Sequence, residues 1–246
     1  MKDNHFTIII PSYNCSDWIE GNLKSALRQK YENYDVVYVD DASTDDTFER
    51  AKAILKRSDK KFKLIKNNVN VRALCNLYNE IKAAKEGTII VTLDGDDRLA
   101  GLEVLSYLNQ IYQDDNVWLT VGSYVENDTY QVVSPIVESN YWEGNIRRKH
   151  WSFSHLRTFR KSLFEKIKLE DLYDSDGNFF KFTFDRAMMY PMVEMAGPEH
   201  LHTIDKVLYV YNRLNPISVD KVHRYHQLRI ENTISNMAPY ERIQKL

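Results

Sequence analysis

Three carboxylates crowd into four residues at Asp94-Gly95-Asp96-Asp97. Set so close they repel, and the pKa of at least one must rise unless a cation neutralises them. Hard carboxylate oxygens suit Mg2+ or Mn2+, which keep several waters and also bind substrate phosphates. Gly95 is expected to let the chain turn sharply, so that alternate carboxylates face one ion. A diphosphate bridged to such an ion becomes a good leaving group, because the metal neutralises charge developing on it. The bland alternative is a solvated acidic turn. Two more polar clusters, Pro11-Ser12-Tyr13-Asn14 and Asp40-Asp41-Ala42-Ser43-Thr44-Asp45, follow other β-rich runs. Each of these alone reads equally well as turn chemistry.

The elements between the clusters decide whether they meet. Four β-rich runs, 6–10, 35–39, 62–65 and 88–93, recur about every 27 residues, a spacing suited to βαβ units. Apolar residues at helical spacing fill the gaps. They are Ile19, Leu23, Ala26 and Leu27 within 17–28, then Phe48, Ala51 and Ile54 within 44–55. Leu74, Leu77, Ile81 and Ala84 do the same within 72–84. Strands that read as continuous apolar runs imply a parallel sheet covered on both faces. Ligands of such sheets bind at the carboxyl ends of the strands. The clusters at 11–14, 40–45 and 94–97 all fall there, on one edge. That convergence is hard to attribute to turns alone.

After residue 99 the rhythm changes. A helix is expected over 102–112 and a strand over 117–121, followed by a polar, aromatic-rich stretch without clear period. No repeat or Gly/Ser linker separates the halves, so the second half reads as an elaboration packed on the sheet. The last 30 residues, with Tyr225, Leu228, Ile230 and Ile234, predict a helix followed by a tail.

A chain of 246 residues with 43% hydrophobic and 28% charged content can form one large α/β domain with a real core. Its net charge of −2 gives no general attraction to nucleic acid or to an acidic membrane surface. Cys15 and Cys75 form neither a disulfide framework nor a metal-ligand spacing, which suits a reducing compartment. The apolar run 6–11 is too short for a signal peptide, and no run approaches the roughly 18 to 20 apolar residues of a membrane span. A soluble, cytoplasmic protein is expected.

At this point Ile8-Ile9-Ile10-Pro11-Ser12-Tyr13-Asn14, Val39-Asp40-Asp41-Ala42-Ser43-Thr44-Asp45 and Leu93-Asp94-Gly95-Asp96-Asp97 resemble three ordered signatures of family 2 glycosyltransferases. The match spans residues 6 to about 100 in order, spacing and strand context, and continues more weakly to about Ser218. The resemblance implies the GT-A fold: a Rossmann-like α/β architecture, a mostly parallel sheet with helices on both faces and an elaborated acceptor-binding second half. Residues 1–100 would be the nucleotide-sugar-binding half, 101–218 the acceptor-binding half, and 219–246 a C-terminal helix and tail.

The same resemblance assigns roles. Pro11 and Tyr13 would line the donor site, with Tyr13 stacking on the base and Asp41 accepting its imide N–H. Asp96 and Asp97 would bridge ribose, metal and diphosphate, with Asp94 opening the motif. Arg72 sits where a basic residue reaches the diphosphate, or is simply an exposed arginine at a helix start. Asn70 stands where the family often has glycine. In Thr183-Phe184-Asp185 the family's usual Glu-Asp becomes Phe-Asp, leaving Asp185 as the general base or as a helix N-cap. Asp176 competes, but its Gly-Asn context reads as a surface turn. In the segment 151–160, Trp151, His155 and Arg157 resemble an acceptor-side motif built on His-x-Arg; a buried strand with alternating aromatics is the other reading. His202 divides in the same way, and Arg213 is a candidate to close over the diphosphate.

The expected function is inverting transfer of a sugar from a nucleotide-diphosphate sugar, UDP being favoured by family habit, to a hydroxyl of a glycan or other acceptor. The cofactor would be Mn2+ or Mg2+. No nucleic acid or membrane span enters, and the C-terminal helix could pair with a second copy. The alternatives are a catalytically inactive nucleotide-sugar-binding module and a metal-dependent nucleotidyltransferase. The latter usually shows a Gly-rich basic phosphate loop after its first strand, and 11–14 offers none.

Overall fold

The structure, a computed structural model, describes residues 2–135 and 137–246. It opens with β1 (Phe6–Ser12), α1 (Ile19–Leu27), β2 (Tyr34–Asp40) and α2 (Thr47–Leu55). Next come β3 (Phe62–Lys66), α3 (Arg72–Ala83) and β4 (Ile89–Thr92). β1 is buried along its whole length. Side chains alternate between the faces of a strand, and here the alternation feeds two cores. Phe6, Ile8 and Ile10 pack with Leu23 and Ala51, whereas Ile9 packs with Leu74, Leu77 and Ile81. Val36 and Tyr38 of β2 join the first core, Val37 and Val39 the second. Hence the unbroken apolar runs: β1 and most of β2 are shielded from water on both faces, while the edge strand β3 is only partly covered. These strands pair in parallel in the order β3-β2-β1-β4.

The second half extends the same sheet. It contains β5 (Arg98–Leu99), α4 (Val104–Ile111), β6 (Leu119–Glu126), β7 (Val132–Val133) and β8 (Arg157–Arg160). It continues through α5 (Lys161–Phe164), α6 (Phe184–His200), β9 (Leu201–Tyr211), α7 (Val219–Val222) and α8 (Arg224–Asn236). β8 runs antiparallel to β4, and β6 antiparallel to β8. β9 lies parallel to β6, and β5 antiparallel to β9. The α/β fold with helices on both faces is thus as expected; the parallel pattern belongs to the first half, and the second half is mixed. Of the segment 151–160 only Arg157–Arg160 forms a strand. Trp151 and Phe153 both pack edge-on against Tyr190 of α6 rather than alternating across a sheet.

α6 is buried from Ala187 to Gly197, with Met188, Met189, Met192 and Met195 in the core, and its helix breaks at Gly197, whose φ is 63°. The C-terminal helix is fixed by a buried fork. Arg147 donates two 2.7 Å hydrogen bonds to Glu194 and a third, of 3.2 Å, to the Ile234 carbonyl. Ile234 itself is buried. Both cysteines are free. Among the described residues no helix is long and apolar enough to cross a membrane.

Candidate active site

The carboxyl ends of β1, β2 and β4 open into one cavity of about 520 Å3. Pro11, Tyr13, Asp41, Arg72, Asp94, Asp96, His155, Arg157 and Asp185 all line it. Nine of the residues singled out in sequence therefore meet in one place, drawn from both halves of the chain.

The acidic turn is tightly built. The Asp97 N–H donates to the Asp94 carbonyl at 3.0 Å, closing a β-turn with Gly95 and Asp96 at its centre. Asn22 of α1 clamps it from behind, its amide donating to the carbonyls of Asp94 and Asp97 at 2.9 and 2.8 Å. Gly95 is needed for a reason other than a special turn angle. A Cβ there would lie 2.6 Å from both Cβ and Oγ of Ser12.

The three carboxylates separate by role. Asp94 and Asp96 face the cavity, whereas Asp97 turns behind the loop to line a smaller hollow. Both Asp97 oxygens accept hydrogen bonds, one from the Tyr209 hydroxyl at 2.6 Å and one from the Asn212 N–H at 2.7 Å. Asp96 accepts from the Asn215 amide at 2.6 Å. Burial raises all three carboxyl pKa values: Asp94 is pushed up to about 6, Asp96 is raised, and Asp97 is raised well above the usual carboxylate range.

Arg157 answers this negative charge. It is 1% exposed, and its guanidinium lies 3.6 Å from an Asp94 oxygen and 3.6 Å from an Asp185 oxygen. His155 stacks on Tyr209 with ring centroids 4.4 Å apart and lies 4.0 Å from Asp94. Burial, reinforced by Arg157, holds its pKa well below the ordinary value, so the imidazole is neutral. Donor atoms of Asp94, Asp97 and His155 lie within 4.8 Å of one another and could hold a cation. Arg157 already supplies a positive charge beside Asp94, however, so a divalent ion fits better at the cavity-facing Asp96.

Asp185 sits in the first turn of α6, but Thr183 occupies the N-cap position. The N-cap alternative therefore falls to Thr183. Its φ is 60°, and Asn14 and Arg72, which also line the cavity, have φ of 51° and 71°. A left-handed conformation costs a residue with a Cβ roughly 1–2 kcal/mol. At Arg72 it is held by Asp41, whose carboxylate accepts from the N–H groups of Val71 and Arg72 at 2.9 and 2.8 Å. Asn67 adds a third bond to Asp41, at 2.8 Å. The glycine expected at Asn70 is unnecessary, because the left-handed residue of this loop is Arg72.

The sequence profile described as Glycosyl transferase family 2 matches residues 7–185. The chain belongs to this family. A similar protein is the UDP-Glc:alpha-D-GlcNAc-diphosphoundecaprenol beta-1,3-glucosyltransferase WfaP of Escherichia coli, 34% identical over 122 residues. That alignment covers 50% of this chain and 47% of WfaP, so the chain spans about half the length of that relative's sequence. Among solved structures, S. aureus TarS 1-349 in complex with UDP-GlcNAc matches with a TM-score of 0.66 at 16% identity, over 96% of this chain and 68% of that one. The mannosyltransferase PcManGT of Pyrobaculum calidifontis, in complex with GDP-Man and Mn2+, matches with a TM-score of 0.61 at 21% identity, over 93% of this chain and 60% of that one. Both share the GT-A fold with this family 2 chain.

Other candidates from the sequence lie elsewhere in this family 2 fold. Trp151 is outside the cavity wall and packs under the Arg186 guanidinium, 5.1 Å from its ring centre. Arg213 pairs with Asp220 at 2.9 Å and Glu126 at 3.8 Å and does not line the cavity. His202 is exposed on β9, and Asp176 lies in the exposed turn after Asp174. Sequence reasoning missed Tyr209, Asn212, Asn215, Lys181 and Phe182. The one available signal was Tyr209-Val210-Tyr211, an alternation that puts two aromatics on one strand face.

Proposed function

We propose that this chain transfers a sugar from a nucleotide-diphosphate sugar, in particular a UDP-sugar, to an acceptor hydroxyl, with inversion and with help from Mn2+ or Mg2+. The supporting observation is the meeting of Asp94, Asp96, Arg157 and Asp185 in one cavity. Residues 1–100 would supply the donor side and 101–218 the acceptor side, with 219–246 closing the fold.

On this reading Tyr13, 37% exposed at the cavity wall, offers its ring to the nucleotide base. Asp41 keeps the 67–72 loop in shape, and Arg72 directs charge toward the diphosphate. Asp96 would hold the divalent ion, which when bound neutralises charge on the departing diphosphate. The ion bound to PcManGT shows that a related fold accommodates Mn2+. Asp185 takes the proton of the acceptor hydroxyl as it attacks from the face opposite the leaving group. Arg157 offsets the repulsion between Asp94 and Asp185 and holds both carboxylates beside it. The neutral His155 is left to hydrogen-bond a sugar hydroxyl. One displacement inverts the anomeric centre once.

Thermal shift and product release with a panel of nucleotide sugars, with and without Mn2+, test this reading. A UDP-sugar should stabilise the protein only with the cation present and release UDP. Stabilisation by a nucleotide sugar without turnover on any hydroxyl acceptor would favour the inactive binding module.

A further inference from the structure

Six of the eleven exposed large hydrophobic residues among those described fall within fifteen positions: Leu214, Ile217, Val219, Val222, Tyr225 and Leu228. Tyr225 is 70% exposed and Val222 54%. This is no floppy tail. α8 is pinned to the body by buried Ile234 and by the Arg147 bond to the Ile234 carbonyl. The apolar strip is also one rim of the cavity, whose wall includes Ile217, Val219, Val222, His223 and Gln227.

Charge in the strip runs against the chain's overall −2. Residues 213–230 contain Arg213, Lys221, Arg224 and Arg229 against a single acid, Asp220. Asp220 is already paired with Arg213. Lys221, Arg224 and Arg229 are all exposed. At about 100° per residue, Tyr225 and Leu228 share one face of α8, and Arg224 and Arg229 fall on its two sides. An apolar ridge with tyrosine at its crest and cations along both flanks matches an interfacial surface. The long basic side chains reach headgroups while the ridge enters the acyl boundary.

We propose that this rim docks on an anionic lipid surface, with the cavity mouth held against it and the acceptor presented from the membrane. Docking does not depend on the transfer chemistry; only the lipid-borne position of the acceptor rests on the proposed function. A second copy of the chain is a poorer occupant, because symmetry would set the same basic flanks against each other.

Cosedimentation of the full chain with vesicles tests the proposal, using phosphatidylcholine alone and phosphatidylcholine mixed with phosphatidylglycerol. Binding should require phosphatidylglycerol and weaken as salt rises. Arg224→Gln and Arg229→Gln should each weaken it roughly fivefold, the fold-change expected for one basic residue near an anionic surface. Leu228→Ser should weaken it as well, while UDP-sugar hydrolysis without vesicles stays at the parent rate. No binding to the mixed vesicles, or binding indifferent to all three substitutions, would overturn the proposal. So would a concentration-dependent dimer dissolved by Leu228→Ser, which would assign the strip to self-association. Loss of transfer chemistry alone, with vesicle binding intact, would count against the proposed function and leave the docking standing.

Discussion

Asp94 and Asp185 face the same guanidinium: Arg157 lies 3.6 Å from a carboxylate oxygen of each. One carboxylate follows a strand of the first half, the other opens a helix of the second. Without the buried arginine the two would repel across a poorly solvated floor. Arg157 therefore joins the two halves of the chain at the cavity.

Asp185→Asn keeps the size of the side chain but cannot accept a proton. Asp185 lies in the first turn of α6 and not at the N-cap, which Thr183 occupies, so Asn there removes no cap. The variant should bind UDP and Mn2+ as the parent does, while transfer slows by about 10²- to 10⁴-fold. Single-turnover kinetics with NMR of the product anomer check both halves. Near-parent activity would remove Asp185 from the chemistry, and a retained anomer would remove single displacement.

Asp96→Ala and Asp97→Ala should fail differently. Asp96 faces the cavity, so its loss should abolish cation-dependent donor binding with little change in melting temperature. Asp97 holds Tyr209 and Asn212. Its loss leaves buried donors unpaired, at about 1–3 kcal/mol of stability. Thermal unfolding beside Mn2+ titration separates them. Equal stability of the two variants would contradict this division.

The pH dependence follows from Asp94, whose carboxyl is pushed up to about 6 by burial, with Arg157 pulling it down and Asp96 and Asp185 pushing it up. A carboxyl raised above its unfolded value stabilises the metal-free fold fully below that value, and the contribution is lost as pH rises through about 6. A cation at Asp96 also gains from the neighbouring Asp94 becoming a carboxylate, so its affinity rises over the same interval. The Mn2+-induced increase in melting temperature should therefore grow between about pH 5 and 7. A flat response would place the ion beyond the reach of Asp94.

Gly95→Ala drives a methyl into Ser12 at 2.6 Å. Overpacking of this kind typically costs about 1–3 kcal/mol. Here it must also displace the 94–97 turn, so donor affinity should fall with stability. Ser12→Gly should rescue part of both losses, measured by a double-mutant cycle. Strict additivity of the two substitutions would show that the contact is relieved elsewhere.

Asp41→Ala should release the backbone of Val71 and Arg72 and let Arg72 leave its left-handed conformation. The donor KM should rise with a smaller change in kcat. Hydrogen exchange should speed up at residues 67–72. Unchanged exchange there would show that the loop is held by other contacts.

By itself the sequence determined the sheet of the first half and the place of the acidic turn. Ile8, Ile9 and Ile10 must be buried on both faces, and a parallel strand covered by helices is the arrangement that does so. The clusters at 11–14, 40–45 and 94–97 then fall at carboxyl ends by connectivity alone. Asp185, His155 and Arg157 were found through motif likeness, but nothing local says they touch Asp94. The tertiary structure decided that, by running β8 antiparallel beside β4. It also turned Asp97 inward, since the partners of a carboxylate depend on Tyr209 and Asn212, more than a hundred residues away. Net charge is silent on position in the same way. A whole-chain value of −2 averages over local runs such as 221–229, where Lys221, Arg224 and Arg229 lie beside Tyr225 and Leu228. Only the structure shows that this run is exposed at the cavity rim. Composition has no coordinates, and these interactions fall off within a few ångströms to a Debye length.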